Sequence, residues 1–212
     1  MSKELNHTYS DSEESLNVWS HGFGFVASII AFPFLVLKAV SYSGFWKPAS
    51  FIIYGFSLII LYAASTFYHA AKDPQKRRRL NIFDHAAIYV LIAGSYTPFC
   101  IVSLDSRLGW YMFIFVWAFA LIGIVLKLFF TGKYDKISTA MYLLMGWQVM
   151  FFIKPLMSAL SSENLNLLVA GGVFYTIGAI LYSIKKLPYN HAIFHIFVLL
   201  GSLSHFFALY YL

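Results

Sequence analysis

The sequence predicts an all-α integral membrane protein, a seven-transmembrane-helix bundle with its N-terminus in the cytoplasm and its C-terminus outside. Three observations predict it. Of 212 residues, 60% are hydrophobic and only 11% charged, with a mean hydropathy of +0.71, whereas about 25% of a soluble domain is charged. Seven apolar stretches each approach the roughly 20 residues that a helix needs to cross a bilayer. Lysine and arginine crowd the loops on one side.

The stretches cover approximately 19–40, 50–70, 83–103, 108–130, 137–158, 165–184 and 190–211. They are too long and too evenly apolar for barrel strands, which are shorter and alternate polar with apolar residues. Residues 1–17 read as a polar, mildly acidic cytoplasmic tail, with Glu4, Asp11, Glu13 and Glu14 set against Lys3. That tail lacks the basic start and small-residue cleavage site of a signal peptide, so no cleavage is expected. Residues 18–212 read as one transmembrane domain, because the connections are short and no linker or strong repeat interrupts them.

An odd number of spans places the termini on opposite sides, and the positive-inside bias decides which is cytoplasmic. The N-terminal side carries eleven basic residues: Lys3, Lys72, Lys76, Arg77, Arg78, Arg79, Lys127, Lys133, Lys136, Lys185 and Lys186. The other side carries four, Lys38, Lys47, Arg107 and Lys154. The run from Lys76 to Arg79 is read as a topology signal at anionic headgroups. Pro33 and Pro98 are read as kinks tolerated among neighbouring helices, and the Tyr and Trp near segment ends as interfacial anchors. The net charge of +6 sits in short loops and forms no module for nucleic acid, which is not an expected partner. The single cysteine, Cys100, excludes an intrachain disulfide and a Cys-based metal site.

Ionisable residues at membrane depth are costly and mark functional sites. His191 and His195 are four residues apart, so on a helix both imidazoles leave the same face. On the topology above they share one layer with His69 at the end of the second segment, and with Asp84 and His85 at the start of the third. Glu14, Asn17 and His21 lead into the first segment in the same layer. Three imidazoles with an open fourth position make a catalytic type of zinc site. A nearby carboxylate such as Asp84 then serves as general base or orients a water, although Asp84 also suits the N-cap of its helix. Ser65, four residues before His69, bonds either a carbonyl of its own helix or a bound water. His85 is read as a neighbour of the site. His205 lies 10 residues past His195, about 15 Å further along a helix, and is read as a helix-packing hydrogen bond.

Four motifs match in order and helix placement: Glu14-x-x-Asn17-x-x-x-His21; Ser65-Thr66-Phe67-Tyr68-His69; Phe83-Asp84-His85-Ala86-Ala87-Ile88-Tyr89 leading to Ala93-Gly94-Ser95-Tyr96-Thr97-Pro98-Phe99; and Pro188-Tyr189-Asn190-His191-Ala192-Ile193-Phe194-His195. Over nearly the whole chain they resemble the bacterial hemolysin III family, kin to the progestin and adipoQ receptors and more distantly similar to alkaline ceramidases. One departure is Ser95, where relatives tend to carry Thr. The resemblance implies zinc held by His69, His191 and His195, with Asp84 and Ser65 beside it and Glu14, Asn17 and His21 in a family motif. It also implies a multi-pass protein of the bacterial inner membrane, with membrane lipids as partners. The expected activity is hydrolysis of a lipid amide or ester. The alternatives are a structural zinc in a membrane-homeostasis or sensing protein and, ranked last, a pore-forming hemolysin. Substrate and oligomeric state stay open at this point.

Overall fold

The computed structural model describes residues 9–104, 106–131 and 135–212, excepting the side chains of residues 135 and 136. Eight α-helices follow in order: α1 (Asp11–Ala39), α2 (Trp46–Ala70), α3 (Pro74–Pro98), α4 (Arg107–Phe130), α5 (Asp135–Gly146), α6 (Ile153–Ala159), α7 (Ser162–Ser183) and α8 (Asn190–Tyr210). A π-helix, Phe99–Ser103, prolongs α3, and a 3-10 segment, Trp147–Phe152, joins α5 to α6. Counting each continuous unit once gives seven spans long and apolar enough to cross a membrane. That is the number the hydropathy predicts, and no strand occurs among the described residues.

Helices adjacent in the chain pack side by side, and α8 closes on α1 to complete the bundle. The most enclosed helix is α3, with 72% of its apolar window buried against 22% for α1 and α4. The outer face carries exposed Trp19, Phe23, Leu37, Phe129 and Phe151, an apolar area that lipid covers and water would not tolerate. Gly24 of α1 lets the helices meet closely, because a Cβ there would lie 2.6 Å from the Tyr62 ring and 2.8 Å from Leu199.

Two helices begin earlier than hydropathy predicts. In α1 the Ser10 hydroxyl accepts from the Glu13 N–H at 3.2 Å, while Asp11, Glu13 and Glu14 occupy the positive end of the helix dipole. Residues 11–17, read as tail, are therefore helical. In α3 the Asp73 carboxylate accepts from the Lys76 N–H at 2.7 Å, with Pro74 at the first helical position. Asp73, not Asp84, is thus the N-cap. Asp84 lies about three turns inside the helix, and the basic run at 76–79 is helical rather than loop. Lys3, Glu4, His7 and Lys133 lie outside the described residues.

Both breaks in the spans are satisfied internally. The kink expected at Pro98 takes the form of the π turn, closed by the Leu104 N–H to Phe99 O at 3.0 Å. The break in the fifth span lies just before Pro155, which has no N–H to offer the Phe151 carbonyl four residues back. There the Tyr96 hydroxyl donates to Gly146 O at 2.5 Å and accepts from the Val149 N–H at 2.8 Å, which partners groups that lipid cannot. Tyr96→Phe leaves both backbone groups short of a partner, at a cost of about 1–3 kcal/mol each. The expected result is a thermal midpoint in detergent several degrees lower; an unchanged midpoint would remove Tyr96 from this role.

Candidate metal centre

Three histidines come from two helix ends. His69 occupies the last turn of α2, and His191 and His195 the first two turns of α8. The chain enters α8 through Tyr189 at φ 55°, a left-handed conformation that a bulky residue adopts only when its surroundings impose it. Here those surroundings are visible. Asn190 Nδ2 donates to Tyr182 O at 2.8 Å and Ile184 O at 3.4 Å, satisfying carbonyls at the end of α7. Tyr189 makes no side-chain cap, and Glu13 of α1 replaces it by accepting from the His191 N–H at 3.3 Å.

The result is compact. One ligand atom from each of His69, His191 and His195 lies within 4.8 Å of the others, and all three residues are buried. The Nε2 atoms of His69 and His191 approach to 3.1 Å. Each opposite nitrogen meets an oxygen: His69 Nδ1 and Glu14 Oε2 at 2.7 Å, His191 Nδ1 and the Tyr9 hydroxyl at 2.9 Å, and His195 Nδ1 and the Ser20 hydroxyl at 3.1 Å. Asn17 Nδ2 lies 3.4 Å from His69 Nδ1.

These contacts decide the tautomers. A carboxylate only accepts, so His69 Nδ1 carries the proton. Ser20 donates its own proton to Asn17 O at 3.1 Å, which leaves its oxygen to accept from His195. The Tyr9 hydroxyl is placed to accept from His191 Nδ1 in the same way. Burial pushes the Tyr9 phenol well above its usual range, so it stays neutral. With the protons on Nδ1, the Nε2 lone pairs of His69 and His191 face each other at 3.1 Å, an arrangement that a cation between them relieves. Zinc–nitrogen bonds of about 2.0–2.1 Å in a tetrahedral set separate two ligand nitrogens by about 3.3 Å. The residues therefore fit a metal ion, and the cluster could hold one.

Asp84 and Ser65 border the same cavity as His191 and His195, but neither belongs to the three-atom group. The cavity measures about 180 Å³ and reaches between α3, α7 and α8 as far as Tyr175 and His205. Ser65 does not bond a carbonyl of its own helix, one of the two roles expected for it: Oγ is buried without a partner among the described residues. His85 turns to its own helix, donating from Nδ1 to Asn81 O at 2.8 Å. His205 makes the expected packing bond, Nε2 to Leu168 O at 3.1 Å. His21 stacks on His195, ring centroids 3.4 Å apart and 7° from parallel; neither of its nitrogens has a partner among the described residues.

Sequence reasoning missed Tyr9, Ser20 and Arg77. Arg77 does more than signal topology, because its guanidinium bonds Glu14 Oε1, donates to Ala71 O at 3.3 Å and lies 4.7 Å over the Tyr68 ring. The signal for Arg77 was its offset from Asp73-Pro74, which starts a helix and so turns one member of the basic run inward. Tyr9 and Ser20 carry no comparable mark, since hydroxyl residues near a helix start have many ordinary uses.

Seven apolar spans around a buried three-histidine cluster define a multi-pass membrane protein with a cluster that could hold a metal ion. A family model described as "Haemolysin-III related" matches residues 9–206. The chain is 44% identical over 199 residues to the "Hemolysin-3 homolog" of Bacillus subtilis (strain 168), covering 94% of this chain and 93% of that protein. It is 42% identical over 195 residues to "Hemolysin-3" of Bacillus cereus, covering 92% and 89%. A human protein, "Monocyte to macrophage differentiation factor", is 27% identical over 204 residues, covering 93% and 83%. The chain belongs to the haemolysin-III-related family.

Proposed function

We propose that the protein is a zinc-dependent hydrolase of a lipid amide or ester bond, acting at the cytoplasmic face of the bacterial inner membrane. One observation carries this reading: two members of the histidine cluster, His191 and His195, adjoin one largely apolar cavity together with Asp84 and a buried Ser65 hydroxyl that has no partner among the described residues. Half-exposed Met150 and Val169 also line it, which suits entry of an apolar chain from the bilayer. The eleven-to-four bias of basic residues supports a cytoplasmic position for the cluster.

Zinc, when bound, supplies Lewis acidity and a water acidified to near pKa 7. The chain's own residues do the rest. The Asp84 carboxylate takes a proton from the attacking water as its oxygen joins the carbonyl carbon. Asp84 then returns that proton to the leaving nitrogen or oxygen as the carbonyl–heteroatom bond breaks. Ser65 Oγ donates a hydrogen bond to the carbonyl oxygen, where negative charge develops. The apolar walls hold the acyl chain and exclude bulk water.

Incubating the zinc-loaded protein with ceramides and phospholipids tests the reading. Turnover that is lost on chelation and restored by zinc is the expected result. No zinc-dependent turnover across a broad panel would favour the second reading, a structural zinc in a membrane-homeostasis protein. That second reading draws on the way Glu14 and Arg77 tie α1, α2 and α3 together around the cluster.

A further inference from the structure

The three Nδ1 contacts share an origin that the metal site itself does not require. Tyr9, Glu14 and Ser20 lie within 12 consecutive residues, on and just before the first three turns of α1, whereas the ligands they meet lie on α2 and α8. Glu13 of the same segment holds the His191 backbone N–H. Asn17 lies between the two hydroxyl-bearing contacts, fully buried, with its carbonyl fixing the Ser20 hydroxyl. One short piece of chain therefore touches each histidine of the cluster at its Nδ1.

We infer that residues 9–20 form a positioning element for the metal centre, in which the Tyr9 and Ser20 hydroxyls hold His191 and His195, as Glu14 holds His69, in the tautomer that presents Nε2 to the ion. The inference rests on the zinc reading but not on hydrolysis. Its physical basis is general: a ligating imidazole donates its other N–H to an oxygen, which fixes ring orientation and raises the basicity of the ligating nitrogen. Glu14 is the strong member, charged and itself held by Arg77. Ser20 and Tyr9 are neutral hydroxyls: the Ser20 proton is engaged by Asn17 O, so its oxygen accepts from His195, and the Tyr9 oxygen lies at hydrogen-bond distance from His191 Nδ1. Tyr9 also packs its ring against His191, centroids 4.7 Å apart, which a phenylalanine preserves. The hydroxyl is therefore separable from the packing.

The full-length protein in detergent, stripped of metal and titrated with zinc against a competing chelator, tests the inference. Tyr9→Phe and Ser20→Ala are each expected to weaken zinc binding by about 10- to 100-fold, with Ser20→Thr restoring it. Thermal midpoints of the metal-free variants are expected to match wild type, since a merely structural role would lower them. Wild-type zinc affinity in both variants would overturn the positioning role and leave the zinc reading standing. A wild-type protein that takes up no zinc would overturn both. Weakened binding in the variants without lipid turnover by any form would sustain the positioning role while the hydrolase reading fails.

Discussion

Purified His191→Ala protein is expected to carry no stoichiometric zinc, where wild type carries about one ion per chain. His191 contributes one of three ligand atoms that lie within 4.8 Å of one another. Apparent zinc-site free energies of about 10–16 kcal/mol, spread over the ligand set, put the loss of one ligand at roughly 3–5 kcal/mol, a factor of more than a hundred. The same substitution also removes the His191 partner of the Tyr9 hydroxyl. Elemental analysis of the two proteins side by side reads the effect directly. Full zinc content in His191→Ala would remove this residue from the centre, and a zinc-free wild type would remove the centre. The thermal midpoint measured on the same samples separates catalytic from structural metal. A variant that stays folded without zinc fits the hydrolase reading, and one that unfolds fits a staple.

What the sequence made legible follows from which physical rule each feature obeys. Hydropathy reports the solvent of a segment, and lipid is a demanding solvent, so all seven spans were countable. The His191–His195 pair was legible because a helix repeats every 3.6 residues, and His69 because the same topology put it in the same layer. Helix starts obey a different rule. Residues 11–17 and 74–82 are polar, so hydropathy assigned them to tail and loop. Their caps, Ser10 three residues before Glu13 and Asp73 before Pro74, were the signal that would have extended both helices. Extending them moves Asp84 from cap to helix interior and brings Arg77 onto Glu14. The break at Trp147–Phe152 had one local signal, Pro155 just beyond it, but the groups it frees depend on Tyr96, a partner 50 residues distant. Contacts of that kind belong to the packed bundle and leave no local mark. The Tyr9 and Ser20 contacts are of the same kind.

Asp84→Asn is expected to reduce zinc-dependent lipid turnover by about 10²- to 10⁴-fold, the usual contribution of a positioned acid–base group, while zinc content stays at the wild-type level. The two halves of this expectation come from different observations. Asp84 is not among the atoms that group as metal ligands, so removing its charge leaves the three imidazoles and their Nδ1 partners intact. It does line the cavity with His191 and His195, where asparagine keeps its size and a hydrogen-bonding carbonyl but cannot take up a proton. A staple would respond in the opposite way, with turnover absent in both proteins and no difference to measure. Turnover that persists undiminished in Asp84→Asn would move the general base elsewhere in the cavity. Loss of zinc together with turnover would make Asp84 a support of the ligand cluster, a role that its place outside the three-atom group argues against.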